Sequence, residues 1–220
     1  VPIRVMVVDD DPLLVTGLTF LLESAEDCEV VATARDGEEA IAAARSHSVD
    51  VVLMDLGLPR MDGIEATTSI RALPDPPYVI ALTTWDVDDA VMKSIEAGAS
   101  GFLLKTSSPQ EIFGAIRSVM AGDAVLSPRS TRRLLDQLGR ESAGEQHLQA
   151  VRAVASLTAR EREVAVGVGR GLTNGAIGAE LYLSEATVKS HLSTIQTKLG
   201  VSNRVLVAVL AERAGLLRAS

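Results

Sequence analysis

The chain has 220 residues, 47% of them apolar and only 3% aromatic, enough for one or two domains built on aliphatic cores. Its lone cysteine, Cys28, excludes an internal disulfide and fits a reducing compartment. No apolar run approaches the roughly 18 residues of a membrane span, and the start lacks a signal peptide's basic-then-apolar layout, so a soluble cytoplasmic protein is expected.

Net charge is −8, unevenly spread. Residues 1–121 carry 8 Lys+Arg against 20 Asp+Glu, whereas residues 122–220 carry 13 against 9. An acidic half joined to a mildly basic half suggests two domains, with any polyanionic partner assigned to the second.

Strand-like apolar runs lie near 3–8, 29–34, 50–55, 78–83 and 101–105. Helical spacing fills the gaps, as in Leu13, Leu14, Leu18, Leu21 and Leu22, and later in Ile112, Ile116, Val119 and Met120. This alternation predicts parallel βαβ units: an α/β, flavodoxin-like doubly wound sheet of five strands in the order 2-1-3-4-5. Asp9 and Asp10, Asp55 and Lys105 end three of the runs, where the carboxyl ends of parallel strands meet in a ligand-binding crevice. Three carboxylates packed there repel one another unless a cation holds them, and a hard divalent ion such as Mg2+ suits oxygen ligands. A metal-dependent phosphate site with one lysine beside it is the expectation. Lys105 is one of only four lysines in an arginine-favouring chain.

From Gly122 the strand signal vanishes. Ser127-Pro128 reads as a cap followed by a first-turn proline, opening a short helix through Leu134, Leu135 and Leu138. The polar, glycine-punctuated stretch 139–146 follows, so 122–153 reads as a tethering helix and linker, with an ordinary surface loop as the alternative. The expected division is thus 1–121, 122–153 and 154–220, the last wholly helical. Thr158 and Glu161 form a capping box, Gly171 suits a helix end, Thr173 and Ser184 cap two further helices, and Gly200 ends the latter: a helix-turn-helix pattern. With Val188 inward, steps of about 100° place Leu192, Ile195 and Leu199 beside it. The opposite face then carries Ala186, Ser190, Ser193, Thr194 and Thr197, flanked by Lys189 and Lys198, while His191 falls toward the buried edge. Small polar residues between lysines suit base edges and phosphates; a solvated face of an ordinary three-helix domain is the alternative.

Val7-Val8-Asp9-Asp10, Leu53 through Gly63, Leu82-Thr83 and Gly101 through Lys105 together resemble the receiver domain of bacterial response regulators. Leu157 to Leu217, with Ser184 through His191 at its centre, resembles the LuxR-type DNA-binding domain, so the whole chain resembles a NarL/FixJ-type two-component regulator. The resemblance implies that Asp55 accepts a phosphoryl group from a sensor histidine kinase. It implies Mg2+ on Asp10, Asp55 and the Gly57 carbonyl, with Asp9 acting through water. Lys105 and Thr83 would meet phosphoryl oxygens, and Phe102 would turn inward. DNA would be met by Lys189, Ser190, Ser193, Thr194, Thr197, Lys198 and Arg204, as a homodimer on an inverted repeat formed upon activation. Such a protein is not an enzyme, beyond slow loss of its own phosphoryl group.

Several positions depart from the family pattern. Asp11 adds a fourth acid near the metal, Gly57 leaves one side of the phosphate uncovered, and Trp85, the only tryptophan, stands two residues after Thr83. Gly175 and Gly178 loosen the supporting helix. Two other readings are a constitutive DNA-binding regulator whose receiver is a phosphorylation-independent interaction domain, and a stand-alone aspartyl phosphatase. The first is opposed by intact Asp10, Asp55, Thr83 and Lys105. The second needs a further catalytic acid where Gly57 stands.

Overall fold

Five of the apolar runs become the parallel strands β1 (Ile3–Val8), β2 (Cys28–Ala34), β3 (Val51–Asp55), β4 (Tyr78–Thr83) and β5 (Gly101–Leu104). The computed structural model describes residues 1–84, 88–126 and 145–219, which divide into two units. In the first, the order β2-β1-β3-β4-β5 is the doubly wound one expected, extended by a two-residue parallel strand, β6 (Val125–Leu126), beside β5. That strand adds to the five-stranded reading; two residues are too few to give a sequence signal.

Helices α1 (Pro12–Glu23), α2 (Gly37–Ser46), α3 (Gly63–Arg71), α4 (Asp88–Glu96) and α5 (Pro109–Met120) connect the strands. Strand side chains alternate between two cores. Val5, Val7, Val51 and Leu53 pack with Leu22 of α1 and Ile112, Ile116 and Val119 of α5. Met6, Val8, Val52 and Met54 pack with Ala40 of α2 and Ala66 and Ile70 of α3. Burial on both faces is why the central strands read as unbroken apolar runs rather than as alternating ones.

The second unit contains α6 (Glu145–Val154), α7 (Ala159–Gly169), α8 (Asn174–Leu181), α9 (Glu185–Leu199), α10 (Arg204–Arg213) and a final 3-10 turn (Leu216–Ala219). Val164, Val168, Ile177, Val188, Leu192, Ile195 and Val207 form its core. The caps fall where the sequence puts them. Thr158 and Glu161 satisfy each other's backbone amides, Thr173 and Ser184 cap α8 and α9, and Gly200 closes α9 in the left-handed conformation. Helix α6 packs on α10 with Ala150 buried, so much of the stretch read as linker belongs to this folded unit. Residues 127–144, including the expected tethering helix, lie outside the described residues. No helix among the described residues is long and apolar enough to cross a membrane.

One expectation about α8 is corrected. Gly178 is required, because a Cβ there would stand 2.6 Å from the Leu183 carbonyl oxygen in the turn leading to α9. Gly175 has open space by comparison, its nearest neighbour being Glu185 Oε2 at 3.8 Å. Gly175→Ala is therefore expected to stabilise the protein by about 0.5–1 kcal/mol through helix propensity. Gly178→Ala should destabilise it by about 1–3 kcal/mol through overpacking. Denaturant unfolding of the two variants reads the opposite signs directly.

Candidate functional site

Strand parity places the site. Asp9 continues the Val5, Val7 face of β1, Asp55 continues the Val51, Leu53 face of β3, and Lys105 follows Leu103 by two at the end of β5. Val8 pairs with Met54, so Asp9 and Asp55 emerge side by side. The Lys105 amide donates to the Thr83 carbonyl at 2.7 Å, which holds the backbone of Lys105 beside the end of β4. Lys105 Nζ then lies 2.6 Å from Asp9 Oδ2 and 2.9 Å from Asp55 Oδ2. Asp9 is fully buried, Asp55 is 5% exposed, and Asp10 is exposed beside them.

Burial pushes the Asp9 carboxyl above the usual carboxylate range, more than the hydrogen bonds from Lys105 and the Asp11 amide pull it down, and the nearby Asp55 charge adds to the rise. Burial also opposes the Lys105 charge. Its hydrogen bonds to Asp9 and Asp55 together outweigh that, so its pKa is raised. Carboxylate oxygens of Asp9, Asp10 and Asp55 all lie within 4.8 Å of one another, an all-oxygen donor set that fits a hard divalent cation.

Asp11 does not join this crowd. Its side chain accepts the Leu13 amide at 2.9 Å as the cap of α1, and its own amide donates to Asp9 Oδ1 at 3.0 Å. The expected fourth acid is a helix cap that also fixes Asp9. The Gly57 amide donates to Asp55 Oδ1 at 3.2 Å, and a Cβ on Gly57 would stand 3.8–3.9 Å from the Asp55 carboxylate with nothing else near, so this flank of the carboxylate is uncovered. Thr83 ends β4 half-buried at the same sheet edge. Phe102 is 1% exposed: its ring already lies inward, so the expected inward turn has no outward starting point here. Trp85 lies outside the described residues.

In the second unit, α9 buries Val188, Leu192 and Ile195, and exposes Ala186, Lys189, Ser190, Ser193, Thr194 and Thr197. His191 sits at the half-buried edge. The Thr194 and Thr197 hydroxyls donate to the carbonyls of Ser190 and Ser193, each at 3.1 Å, leaving their oxygens as acceptors. Lys198 is exposed, and its Nζ lies 2.9 and 2.7 Å from the two oxygens of buried Glu161, so it ties α9 to α7. One expected contact is corrected. Arg204 is only 8% exposed, donating to the Leu172 carbonyl, Asn174 Oδ1 and the Asp123 carboxylate. Helical phase tells which way a cation leaves its own helix, but not which acid meets it there. The capping box marked Glu161 as a cap and gave no sign of its second partner.

Residues 5–117 match the response regulator receiver domain, and residues 155–211 match the luxR family of bacterial regulatory proteins. The chain is 43% identical to the transcriptional regulatory protein LiaR of Bacillus subtilis (strain 168), over 96% of this chain and 97% of that protein. It is 37% identical to the nitrate/nitrite response regulator NarP of Escherichia coli (strain K12), over 95% and 94%. The crystal structure of the response regulator ChrA, from a haem-sensing two-component system, covers 98% of both chains at 36% identity with a TM-score of 0.52. The chain belongs to the LuxR-type response regulators.

A response regulator of this family pairs a receiver with a helix-turn-helix DNA-binding domain, as the two units here do. In its receiver, burial works against the ionised form of the Asp9 carboxyl. A carboxyl whose folded pKa is raised binds its proton more tightly in the folded state. Its ionisation therefore costs stability as pH rises from the unfolded value of about 3.8 through the folded one. Asp9→Asn should accordingly raise the melting temperature in Mg2+-free buffer at pH 7, with the gain shrinking toward pH 4. Calorimetric scans across that range check the sign.

Proposed function

We propose that Asp55 is the phosphoacceptor through which a sensor histidine kinase controls DNA binding by the second unit. The observation that carries this reading is Lys105 Nζ at 2.9 Å from an Asp55 carboxylate that is nearly buried among two further acids. The attacking Asp55 oxygen forms a P–O bond as the P–N bond of a phosphohistidine breaks and the imidazole leaves. Asp10, Asp55 and the Gly57 carbonyl would hold Mg2+ directly, with Asp9 holding it through water. When bound, Mg2+ neutralises charge on the nucleophile and the phosphoryl oxygens. Lys105 passes from the carboxylates to a phosphoryl oxygen as a charge-assisted donor, and the Thr83 hydroxyl donates to another. In this reading the protein is not an enzyme; it hydrolyses only its own phosphoryl group, slowly.

The division of labour follows the proposed boundaries, with 1–121 as receiver, 122–153 as connector, its residues 145–153 folded in α6 onto the second unit, and 154–220 as DNA-binding domain in a cytoplasmic protein. Lys189, Ser190, Ser193, Thr194 and Thr197 form the DNA-facing set, with Lys189 on phosphate and the small hydroxyls near base edges. So few cations give one domain weak affinity. Phosphorylation then acts by pairing two copies on an inverted repeat, with half-sites about one helical turn (~34 Å) apart.

Acetyl phosphate with Mg2+ is expected to label wild type and not Asp55→Asn, and chelation of Mg2+ should abolish labelling. Full labelling of the variant would sink the assignment. Beryllofluoride should raise both the dimer fraction in sedimentation and operator affinity. A beryllofluoride-treated protein that stays monomeric and binds DNA no better would favour constitutive DNA binding instead. Lys189→Ala should weaken DNA binding across sequences and flatten its salt dependence by about one unit of slope.

A further inference from the structure

We propose that Asp123 is an internal competitor for DNA: its carboxylate holds the anion position at the amino end of α8 that a DNA backbone phosphate takes on binding. The inference rests on the reading of the second unit's DNA-facing surface given above. It names a contact that must open before that unit can close on a duplex.

Residues Ala121–Ala124 follow α5 in the chain yet group with the second unit. Two of its buried polar side chains hold them. Asn174, the fully buried first residue of α8, donates its backbone amide to Asp123 Oδ1 at 3.3 Å and its side-chain Nδ2 to the Ala121 carbonyl at 2.9 Å. Arg204 Nη1 donates to the Gly122 carbonyl at 3.0 Å and forms an ion pair with Asp123. Gly122 takes a left-handed φ of 86°, and a Cβ there would stand 3.1 Å from Asn174 Nδ2. Glycine is what lets the loop lie this close to α8.

Helix α8 has its own cap in Thr173, whose hydroxyl accepts the Ala176 amide at 3.2 Å. Asp123 is a second acceptor, brought from 51 residues away. It meets what an anion site offers a phosphate: a helix-terminal amide, the positive end of the helix dipole and a guanidinium. Arg204 also donates to the Leu172 carbonyl at 2.6 Å and to Asn174 Oδ1 at 3.1 Å, bonds that do not involve the loop and keep the guanidinium in place without it. In a helix-turn-helix the first helix crosses the DNA backbone while the second enters the groove, so a phosphate is due beside α8. The loop also runs beside α9. The Gly122 Cβ position lies 3.8 and 3.9 Å from Lys189 Cε and Cδ, the side chain assigned above to a phosphate. One carboxylate thus stands next to both groups that a phosphate needs, filling the position and repelling the duplex.

The test is binding of the full, unphosphorylated chain to a labelled mixed-sequence DNA duplex at low salt. Asp123→Ala removes the competing carboxylate. Gly122→Ala leaves the net charge unchanged, but its Cβ crowds Asn174 and strains the left-handed backbone, which pushes the loop off α8. Self-blocking predicts that both variants bind the duplex about tenfold more tightly than wild type, as expected when the closed loop opens about one-tenth of the time. Loss of a negative charge by itself predicts tighter binding for D123A and no change for G122A. A loop that only braces the fold predicts that neither variant binds more tightly. Either of these patterns overturns the competitor. Should Gly122→Ala unfold the chain, Asp123→Glu takes its place, since it keeps the charge and displaces the carboxylate by one methylene. A wild type that binds the duplex beside variants that bind no tighter overturns the competitor alone. If neither wild type nor variants bind DNA, the reading of the DNA-facing surface falls with it.

Discussion

Three carboxylates and one ammonium at the ends of adjacent parallel strands set the terms for the receiver. Asp9 and Asp55 are withdrawn from water, and Lys105 bridges them at 2.6 and 2.9 Å. Asp10 stands close by, so the cluster keeps an excess of two negative charges when all its groups are ionised. Burial makes that excess unfavourable, as the raised Asp9 pKa registers. A divalent cation would restore the balance, and the three carboxylates offer the oxygen donors that could hold one. The fold's contribution is to prevent the acids from separating. Asp55 is the last residue of β3, and Asp9 and Asp10 follow directly on β1, strands whose side chains are locked into the cores.

The β3–α3 loop shows how much scaffolding such a cluster needs. Its closure depends on glycine at position 63 to admit the Asp55 carbonyl and at position 37 to seat Met61. The flank at Gly57 is left open, so the same loop leaves one side of the Asp55 carboxylate uncovered.

The helical unit uses charge in another way. Glu161 and Lys198 join α7 to α9, and Arg204 ties α10 to the turn before α8, so two cations of the DNA-binding domain are engaged in holding its helices together. The outward face of α9 exposes Ser190, Ser193, Thr194 and Thr197 between Lys189 and Lys198.

The strand order, the caps at Thr158, Thr173 and Ser184 and the meeting of Asp9, Asp55 and Lys105 were legible in the residue order, whereas the capping role of Asp11 was not. These features follow from short-range rules: period-two alternation, burial on both sheet faces, and cap side chains within three residues of the amides they satisfy. Contacts between groups far apart in the chain were not legible. Nothing local distinguishes Lys198 from Lys189, Arg204 from a surface arginine, or Gly178 from Gly175. Their roles are decided by what stands opposite, namely Glu161, Asn174 and the Leu183 carbonyl. Periodicity assigns a side chain to a face, whereas its partner is chosen only when separate elements pack and bring two faces within a few ångströms.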